Sequence, residues 1–349
     1  MNSRIIMRVA LQFLAGDGMS GPKQHVTATW RETVGVAVIT HKAAAVLSGC
    51  LSPLLACTPV PRVIVVNSSS NDGTVELAKA MGAEVLVTPR EEFNHGTTRE
   101  LARRALGTDI VIMITPDARP LGPETVRNLV RPILHGEASI AYARQLPRDG
   151  ADFFEAFSRC FNYREKSEVR SIQDIGRLGA YTFFCSNSCA AWSNRALDSI
   201  GGFAPTLSLE DVIATAELLH AGHQIAYCAD AVVVHSHRYT LAEEFKRHFD
   251  TGYVRAMHKD RLFVAGGDER RGVIFVAEML RQLTHTQPQL IPYAITNIAA
   301  KYLGYCLGFH GHALPTRLKR HLSGQSYFWK VPAAGQNSSA IRPRAREIA

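Results

Sequence analysis

Short apolar runs rich in Val and Ile alternate with Ala- and Leu-rich segments through the first third of the chain. Four of these runs predict buried strands, at 34–40, 62–67, 83–89 and 109–115. The intervening segments predict helices, at 43–56, 74–82 and 96–107. This alternation is typical of an α/β fold with a mostly parallel, doubly wound sheet covered on both faces. Ligands bind such sheets beyond the carboxyl ends of the strands, so residues that follow the strands should meet in one crevice.

The alternation continues less regularly to about residue 240. Further strands are predicted at 139–145, at 183–192 and as a strand, turn and strand within 224–237. Further helices are predicted at 123–135, 194–203 and 209–222, whereas residues 150–180 have no clear period. Charged amphipathic segments then predict helices at 241–260 and within 272–322. We therefore divide the chain into four parts: an N-terminal arm (1–32), an α/β domain (33–240), a helical region (241–332) and a disordered tail (333–349).

Composition narrows the choice of partners and compartment. The 349 residues carry a formal net charge of +8, which favours anionic partners such as nucleotide phosphates or an acidic membrane surface. The 7 Cys are irregularly spaced, so we expect reduced thiols and a cytoplasmic protein. No apolar run is long enough to span a bilayer, and the first residues make a poor signal peptide. The chain has no dinucleotide fingerprint, P-loop, serine elbow or zinc-finger spacing, and no aromatic-interleaved basic stripe, so we expect no nucleic-acid partner.

Polar residues follow the second and fourth predicted strands. The loop VVNSSSNDGT carries Asn67, Ser68 and Asp72 and leads into a helix, where it can contact a nucleoside and its phosphates. An ordinary turn in which these side chains cap the helix explains the same residues. In ITPDARP, Asp117 lies just past a buried strand, where a carboxylate can bind a divalent metal on a diphosphate, or simply stabilise a Pro-rich turn.

Three further motifs carry candidate chemistry. Asp211, in LEDV, is either a general base or an acid favoured by the helix dipole. His235 and His237, in VVVHSHRY, point to the same face of a strand, and this spacing suits a metal or a phosphate. Arg99, in FNHGTTRE, lies near a helix N-terminus that disfavours a cation, so it either contacts an anion or is a surface residue.

In this order along the chain, these motifs resemble the family 2 glycosyltransferases of GT-A fold, and most closely the rhamnosyltransferases of bacterial polysaccharide assembly. The resemblance runs from Val34 to about Ser323. It rests on VGVAVIT, VVNSSSNDGT, FNHGTTRE, ITPDARP, YARQLPR, FFCSNSCAAW, IGGF, LEDV and VVVHSHRYT, with FDTGY and KYLGYCLG further on. The more specific of these are FNHG, RQLPR and SNSCAAW.

The resemblance implies an inverting transfer that depends on Mg²⁺ or Mn²⁺. It implies that Asp117 is a metal ligand, that His235 or His237 is a further metal or diphosphate contact, and that Asp211 deprotonates the acceptor. Arg99 would stabilise the charge on the diphosphate. The remaining positions are assigned to the donor site, and they are Thr40, Asn67, Ser68, Asp72 and Thr115. Thr115 replaces the usual first acid of the family's metal motif, and Asn67 replaces a usual Asp.

The expected partners are a nucleotide-sugar donor resembling dTDP-rhamnose and a glycan or lipid-linked acceptor in cell-surface or exopolysaccharide assembly. The basic C-terminal helices either lie on the inner face of the cell membrane or pack on the catalytic domain or a second subunit. Two other functions are considered. A nucleotidyltransferase should carry a Gly-rich phosphate loop, which VGVAVITHKAAAV lacks. A degenerate, non-catalytic GT-A binding protein is the third hypothesis, prompted by the missing first acid.

Overall fold

A computed structural model describes residues 32–264 and 269–330 of the chain. The predicted arm (apart from Glu32) and the predicted tail lie outside the described residues. The strands are β1 (Val34–Thr40), β2 (Arg62–Asn67), β3 (Glu84–Val87), β4 (Ile110–Ile114), β5 (Arg119–Pro120), β6 (Ile140–Leu146), β7 (Glu168–Arg170), β8 (Cys189–Ser193) and β9 (Ile225–Val234).

The strands form one mixed sheet of order β3-β2-β1-β4-β8-β6-β9-β5, with β7 paired to β9. Strands β1 to β4 are parallel, as the alternating pattern predicts. Strand β8 is antiparallel to both of its neighbours, β4 and β6. The chain therefore enters β8 at the carboxyl ends of β4 and β6, and the loop before β8 lies at the ligand-binding edge of the sheet.

Helices flank the sheet and continue beyond it. Those of the α/β part are α1 (Ala44–Leu55), α2 (Thr74–Ala80), α3 (His95–Leu106), α4 (Glu124–Leu134), α5 (Phe153–Asn162), α6 (Ile175–Leu178), α7 (Asn194–Ser199) and α8 (Glu210–His220). Those of the helical region are α9 (Leu241–Met257), α10 (Lys259–Leu262), α11 (Glu269–Thr286), α12 (Ile291–Phe309) and α13 (Thr316–Leu322). Buried residues of β1, β4, β6 and β8 contribute to a large apolar cluster, which includes the fully buried Trp192 and Tyr142.

Two of the predicted strands differ from the structure. The predicted strand at 183–192 is wrong in its first half, because Gly179–Phe183 form a 3₁₀ turn and only Cys189–Ser193 form a strand. Phe183 is buried through that turn, so an apolar run there does not require a strand. The predicted strand, turn and strand within 224–237 is one strand, β9, whose register against β6 shifts after Ala143. Residues 150–180, which have no clear period, contain α5, β7 and α6.

Helices α9 and α12 pack backbone against backbone. A Cβ atom at Gly304 would collide with the carbonyl oxygen of Phe245, and one at Gly308 with that of Phe249. Glycine is required at these positions because only a hydrogen fits between the two helices. Within the described residues, no helix is both long enough and apolar enough to cross a membrane.

We expect Gly308→Ala to lower the free energy of unfolding by ~1–3 kcal/mol, because the added methyl group forces α9 and α12 apart. Gly272→Ala, in α11, is the matched control, since no described atom lies near its Cβ position. A helical alanine there should leave stability unchanged or raise it by up to ~1 kcal/mol. Urea unfolding of both variants measures the difference, and equal stabilities would contradict this account of the packing.

Candidate functional site

Asp117, His235 and His237 meet at one end of the sheet. Asp117 lies in the turn between β4 and β5, and the histidines follow the last residue of β9. The backbone N–H of His235 donates to Leu146 O at 2.9 Å, which continues the pairing of β9 with β6. This bond fixes the backbone of His235 to the sheet.

The three side chains form a compact cluster. His237 Nε2 lies 3.0 Å from Asp117 Oδ2, and His235 Nε2 lies 3.7 Å from Asp117 Oδ1. The two Nε2 atoms are 2.9 Å apart. One ligand atom from each residue falls within 4.8 Å of the others, so a single ion can be shared by all three. Within the described residues this is the one group of three or more such side chains with that geometry.

Hydrogen bonds set the protonation of this cluster. Gln145 donates from Nε2 to Ser186 Oγ at 2.9 Å, so its Oε1 faces His235 Nδ1 at 2.8 Å and accepts the Nδ1 proton. His235 Nε2 therefore keeps its lone pair. Burial lowers the pKa of His235 to about 3, against the opposing effect of Asp117, which keeps the ring neutral. Burial alone would raise the pKa of Asp117, but its hydrogen bond with His237 and the nearby His235 hold it below the ordinary value.

This donor set fits a divalent cation. A neutral imidazole whose other N–H is fixed by a buried amide has the arrangement that metal-binding histidines show in general. One carboxylate oxygen and two imidazole nitrogens suit Mn²⁺ better than Mg²⁺, which prefers oxygen ligands.

Asp211 is the second residue of helix α8 and is held by two backbone donors. Its Oδ2 accepts the N–H of Asn187 at 2.9 Å, and its Oδ1 accepts the N–H of Val212 at 2.8 Å. The residue before the helix, Leu209, has a φ of 60°, a left-handed conformation that is strained for a bulky side chain. Burial and the adjacent charge of Glu210 raise the pKa of Asp211, which moves it towards the range of a general base at neutral pH.

Arg99 lies beneath this carboxylate and not at the surface. Its Nε is 3.1 Å from Glu210 Oε1, and both side chains are buried. Its NH1 also donates to His95 O at 3.0 Å. The surface alternative for Arg99 is therefore wrong, and the anion it contacts in the structure is Glu210. A direct contact with a diphosphate stays a prediction.

The loop before β8 joins the metal cluster to Asp211. Ser186 accepts from Gln145, which holds His235, and Ser188 O accepts the N–H of Thr115 at 3.3 Å. Between them, Asn187 donates its backbone N–H to Asp211 and its Nδ2 to Glu210 Oε1 at 3.1 Å. Asn187 Oδ1 accepts from the buried indole of Trp192 at 2.9 Å. Three consecutive residues thus bond directly to Thr115 and Asp211 and hold His235 through Gln145.

The donor-site residues of β1 and β2 also converge, but most of their hydrogen bonds are used within the loop. Asn67 donates to Thr40 Oγ1 at 3.1 Å and to Ser70 Oγ at 2.9 Å. Asp72 accepts from the Ala44 N–H at 3.1 Å, so it caps α1 although it lies 28 residues further along the sequence. These bonds lie within the loop or reach Thr40 and α1, so the alternative that the loop side chains cap the helix that follows it stays a prediction.

Ser68 is held from a different direction. Its Oγ donates to Thr40 O at 3.3 Å and accepts from Arg90 at 3.0 Å. Direct contacts of Thr40, Asn67, Ser68 and Asp72 with a nucleoside stay predictions, as does one from Thr115.

Two residues of the candidate site, Gln145 and Asn187, were not predicted as site residues from the sequence. Both lie in segments, RQLPR and SNSCAAW, that carry the family resemblance. A further signal was available for Gln145. It is a polar residue in a buried strand, and a buried amide requires partners.

Comparison with known sequences places this site in a family. Residues 31–253 match the profile described as glycosyltransferase like family 2. The O-antigen chain rhamnosyltransferase RfbN of Salmonella typhimurium is 38% identical over 271 residues, covering 77% of this chain and 86% of the relative. The O-antigen chain rhamnosyltransferase WbaN of Salmonella anatum is 35% identical over 270 residues, with the same coverage.

Solved structures share the fold. A mannosyltransferase of Pyrobaculum calidifontis, in complex with GDP-Man and Mn²⁺, has a TM-score of 0.51 at 18% identity, covering 95% of this chain and 94% of its own. TarS of S. aureus, in complex with UDP-GlcNAc, has a TM-score of 0.50 at 14% identity, covering 80% and 91%. These likenesses confirm the GT-A fold class predicted from the sequence.

We expect Gln145→Leu to weaken Mn²⁺ binding by ~10–100-fold, because His235 loses the acceptor that orients its ring. Gln224→Leu, at an exposed position, is the matched control and should bind Mn²⁺ as the wild type does. Titration calorimetry with Mn²⁺ alone measures both. Unchanged affinity in Gln145→Leu would show that Gln145 does not support a metal site.

Proposed function

Because the chain belongs to glycosyltransferase family 2, and is thus a glycosyltransferase, we propose that it transfers rhamnose from dTDP-rhamnose to a glycan or lipid-linked acceptor in cell-surface polysaccharide assembly. The observation that carries the proposal is the Ser186–Ser188 loop, which joins a candidate metal cluster to a carboxylate suited to general-base catalysis. The choice of rhamnose follows the names of the two Salmonella relatives. The sugar, the nucleotide and the acceptor belong to the proposal.

The donor lies at the carboxyl ends of β1, β2 and β4 in this proposal. Its nucleoside rests on the loop that Asn67 and Asp72 shape, and its diphosphate faces Asp117, His235 and His237. A divalent cation held by these three side chains would neutralise the charge that develops on the departing diphosphate. The imidazole nitrogens make Mn²⁺ the better candidate.

Asp211 is the proposed base. It takes the proton of one acceptor hydroxyl while that oxygen attacks the anomeric carbon, and the bond from this carbon to the diphosphate breaks on the opposite face. The anomeric configuration is therefore inverted. The buried pair of Glu210 with Arg99 keeps the neighbouring carboxylate charged, and that charge favours the protonated form of Asp211. Arg99 is in this account a positioning residue.

The same proposal places the enzyme at the cytoplasmic face of the cell membrane. Helix α12 has an exposed side that is apolar, including Ile295, Tyr302, Leu303 and Leu307. Lys301 is the one charged residue among its 19 residues. The next helix, α13, carries the exposed Arg317 and Arg320. An apolar surface beside basic side chains suits the interface of an anionic bilayer.

We expect Asp211→Asn to reduce transfer by ~10²–10⁴-fold, because an amide cannot accept the proton. A base acts only when unprotonated, so wild-type kcat/KM should fall as pH drops through the raised pKa of Asp211, about 7. For an aspartate with the ordinary pKa of ~3.9, this fall in kcat/KM would occur near that pH instead. Donor binding should be retained in the variant. Full activity of Asp211→Asn, or an acidic limb near pH 4, would refute the assignment.

A thermal-shift panel tests the donor and the metal together. We expect dTDP and dTDP-rhamnose to raise Tm with Mn²⁺ more than other nucleotides do, since a ligand of the native state stabilises it. Asp117→Asn should lose the Mn²⁺-dependent part of that shift, and Asp149→Asn, at an exposed site, should keep it. A preference for UDP or GDP would contradict the proposed donor. Binding without any transfer would favour the degenerate binding protein.

We expect the protein to pellet with vesicles of phosphatidylglycerol and phosphatidylcholine at low salt, and to be released as salt screens the basic residues. Leu303→Asp should weaken pelleting because it charges the apolar side of α12. Val60→Asp is the matched control, as an equally exposed apolar residue of the α/β domain. Salt-insensitive, fully soluble behaviour would favour packing of these helices on protein.

A further inference from the structure

A cavity of about 860 Å³ lies in the helical region beside the candidate active site. It is bounded by Tyr239, by helices α9 and α13, and by the Ser323–Ser326 segment that follows α13. The candidate site of the donor does not explain it, because its walls come from outside the sheet.

The walls of the cavity are strongly basic. Lys246 and Arg247 project from α9, and Arg317, Arg320 and His321 from α13. Within residues 32–264 and 269–330, neither Lys246, Arg317 nor Arg320 lies in an ion pair. Arg247 donates to the hydroxyl of Tyr239 at 2.7 Å and likewise forms no ion pair with a carboxylate of the described residues.

Two carboxylates also line the cavity, and both have other hydrogen-bond partners. Glu243 Oε2 accepts from the N–H and the hydroxyl of Thr240, each at 2.8 Å, in the cap of α9. Asp250 is buried, and its Oδ2 accepts the N–H of Gly324 at 3.0 Å. Four basic side chains of α9 and α13 therefore face two carboxylates that have other hydrogen-bond partners, which favours an anionic ligand.

Tyr239 connects the cavity to the candidate active site. Its ring packs on His237 with centroids 5.3 Å apart, and the guanidinium of Arg247 lies 4.2 Å from its centre. A ligand in the cavity would thus reach His237 from the side of the helical region, whereas the proposed donor occupies the strand ends.

We propose that this cavity binds the phosphate-bearing part of the acceptor and holds it while its sugar end reaches Asp211. The inference rests on the proposed function for the identity of the ligand as acceptor, but the anion site itself can be tested separately. Two sources share this chemistry: a lipid-linked phosphate or diphosphate, and a free phosphorylated sugar. Arginine is suited to both because its planar fork pairs with phosphate oxygens in a bidentate manner.

The test uses the full chain with EDTA present, so that no metal contributes. Calorimetry measures binding of inorganic pyrophosphate, of geranyl diphosphate and of glucose 1-phosphate. We expect Arg317→Gln combined with Arg320→Gln to weaken pyrophosphate binding at least ~10-fold, which corresponds to about 1.4 kcal/mol. The matched control, Lys79→Gln combined with Arg195→Gln, removes two exposed cations of the α/β domain and should leave pyrophosphate binding unchanged.

The three probes distinguish the sources. Tighter binding of geranyl diphosphate than of pyrophosphate indicates a lipid-linked acceptor, and preference for glucose 1-phosphate indicates a phosphorylated sugar. Equal pyrophosphate binding by the wild type and the Arg317, Arg320 variant, or none by either, overturns the proposal. Loss of vesicle pelleting in that variant without any pyrophosphate binding also overturns it and assigns the arginines to the membrane surface.

A separate titration with dTDP distinguishes failure of the cavity proposal from failure of the proposed function. The Arg317, Arg320 variant should bind dTDP with Mn²⁺ as the wild type does, whereas its KM for the acceptor should rise. If the wild type fails to bind dTDP, the proposed donor is wrong, but the pyrophosphate result in EDTA still decides the cavity.

Discussion

The backbone hydrogen bond from Asn187 to Asp211 depends on the direction of one strand. Because β8 runs antiparallel between β4 and β6, the loop that precedes it must lie where those two strands end. That edge carries Thr115 after β4 and Gln145 near the end of β6. Ser186, Asn187 and Ser188 can therefore bond to groups from three elements at once. A parallel strand in this place would put the same loop at the opposite edge of the sheet.

The charges beneath this loop explain why Asp211 can be a base. A buried carboxylate next to another buried carboxylate is unfavourable unless one of them is neutralised. Arg99 neutralises Glu210, and Asn187 supplies hydrogen bonds to both acids. Asp211 has no such cation, so burial and the charge of Glu210 raise its pKa. The strained backbone of Leu209 directly precedes the two acids, at the start of α8.

The sequence predicted those parts of the fold that depend on local pattern. Buried parallel strands such as β1 and β4 are continuous apolar runs, so their position and the crevice at their ends could be predicted. The direction of β8 could not, because it is set by pairing with strands distant in the chain. The ion pair of Arg99 with Glu210 could not be predicted for the same reason, since the two residues lie far apart in the sequence. His235 and His237 were found because a spacing of two on a strand fixes a common face, but Gln145, which orients one of them, has no such signature.

The helical region is more than an attachment to the α/β domain, since it supports the proposed donor site through Arg90. Arg90 donates to Ser68, and its guanidinium lies 4.7 Å from the ring centre of Tyr327, in the segment that follows α13. That segment also forms part of the basic cavity, through Ser323–Ser326. One stretch of chain therefore contacts Arg90, which holds the proposed nucleoside loop, and lines the proposed acceptor site. Displacing it should affect both substrates, and this gives a physical reason for the helical region to accompany the catalytic fold.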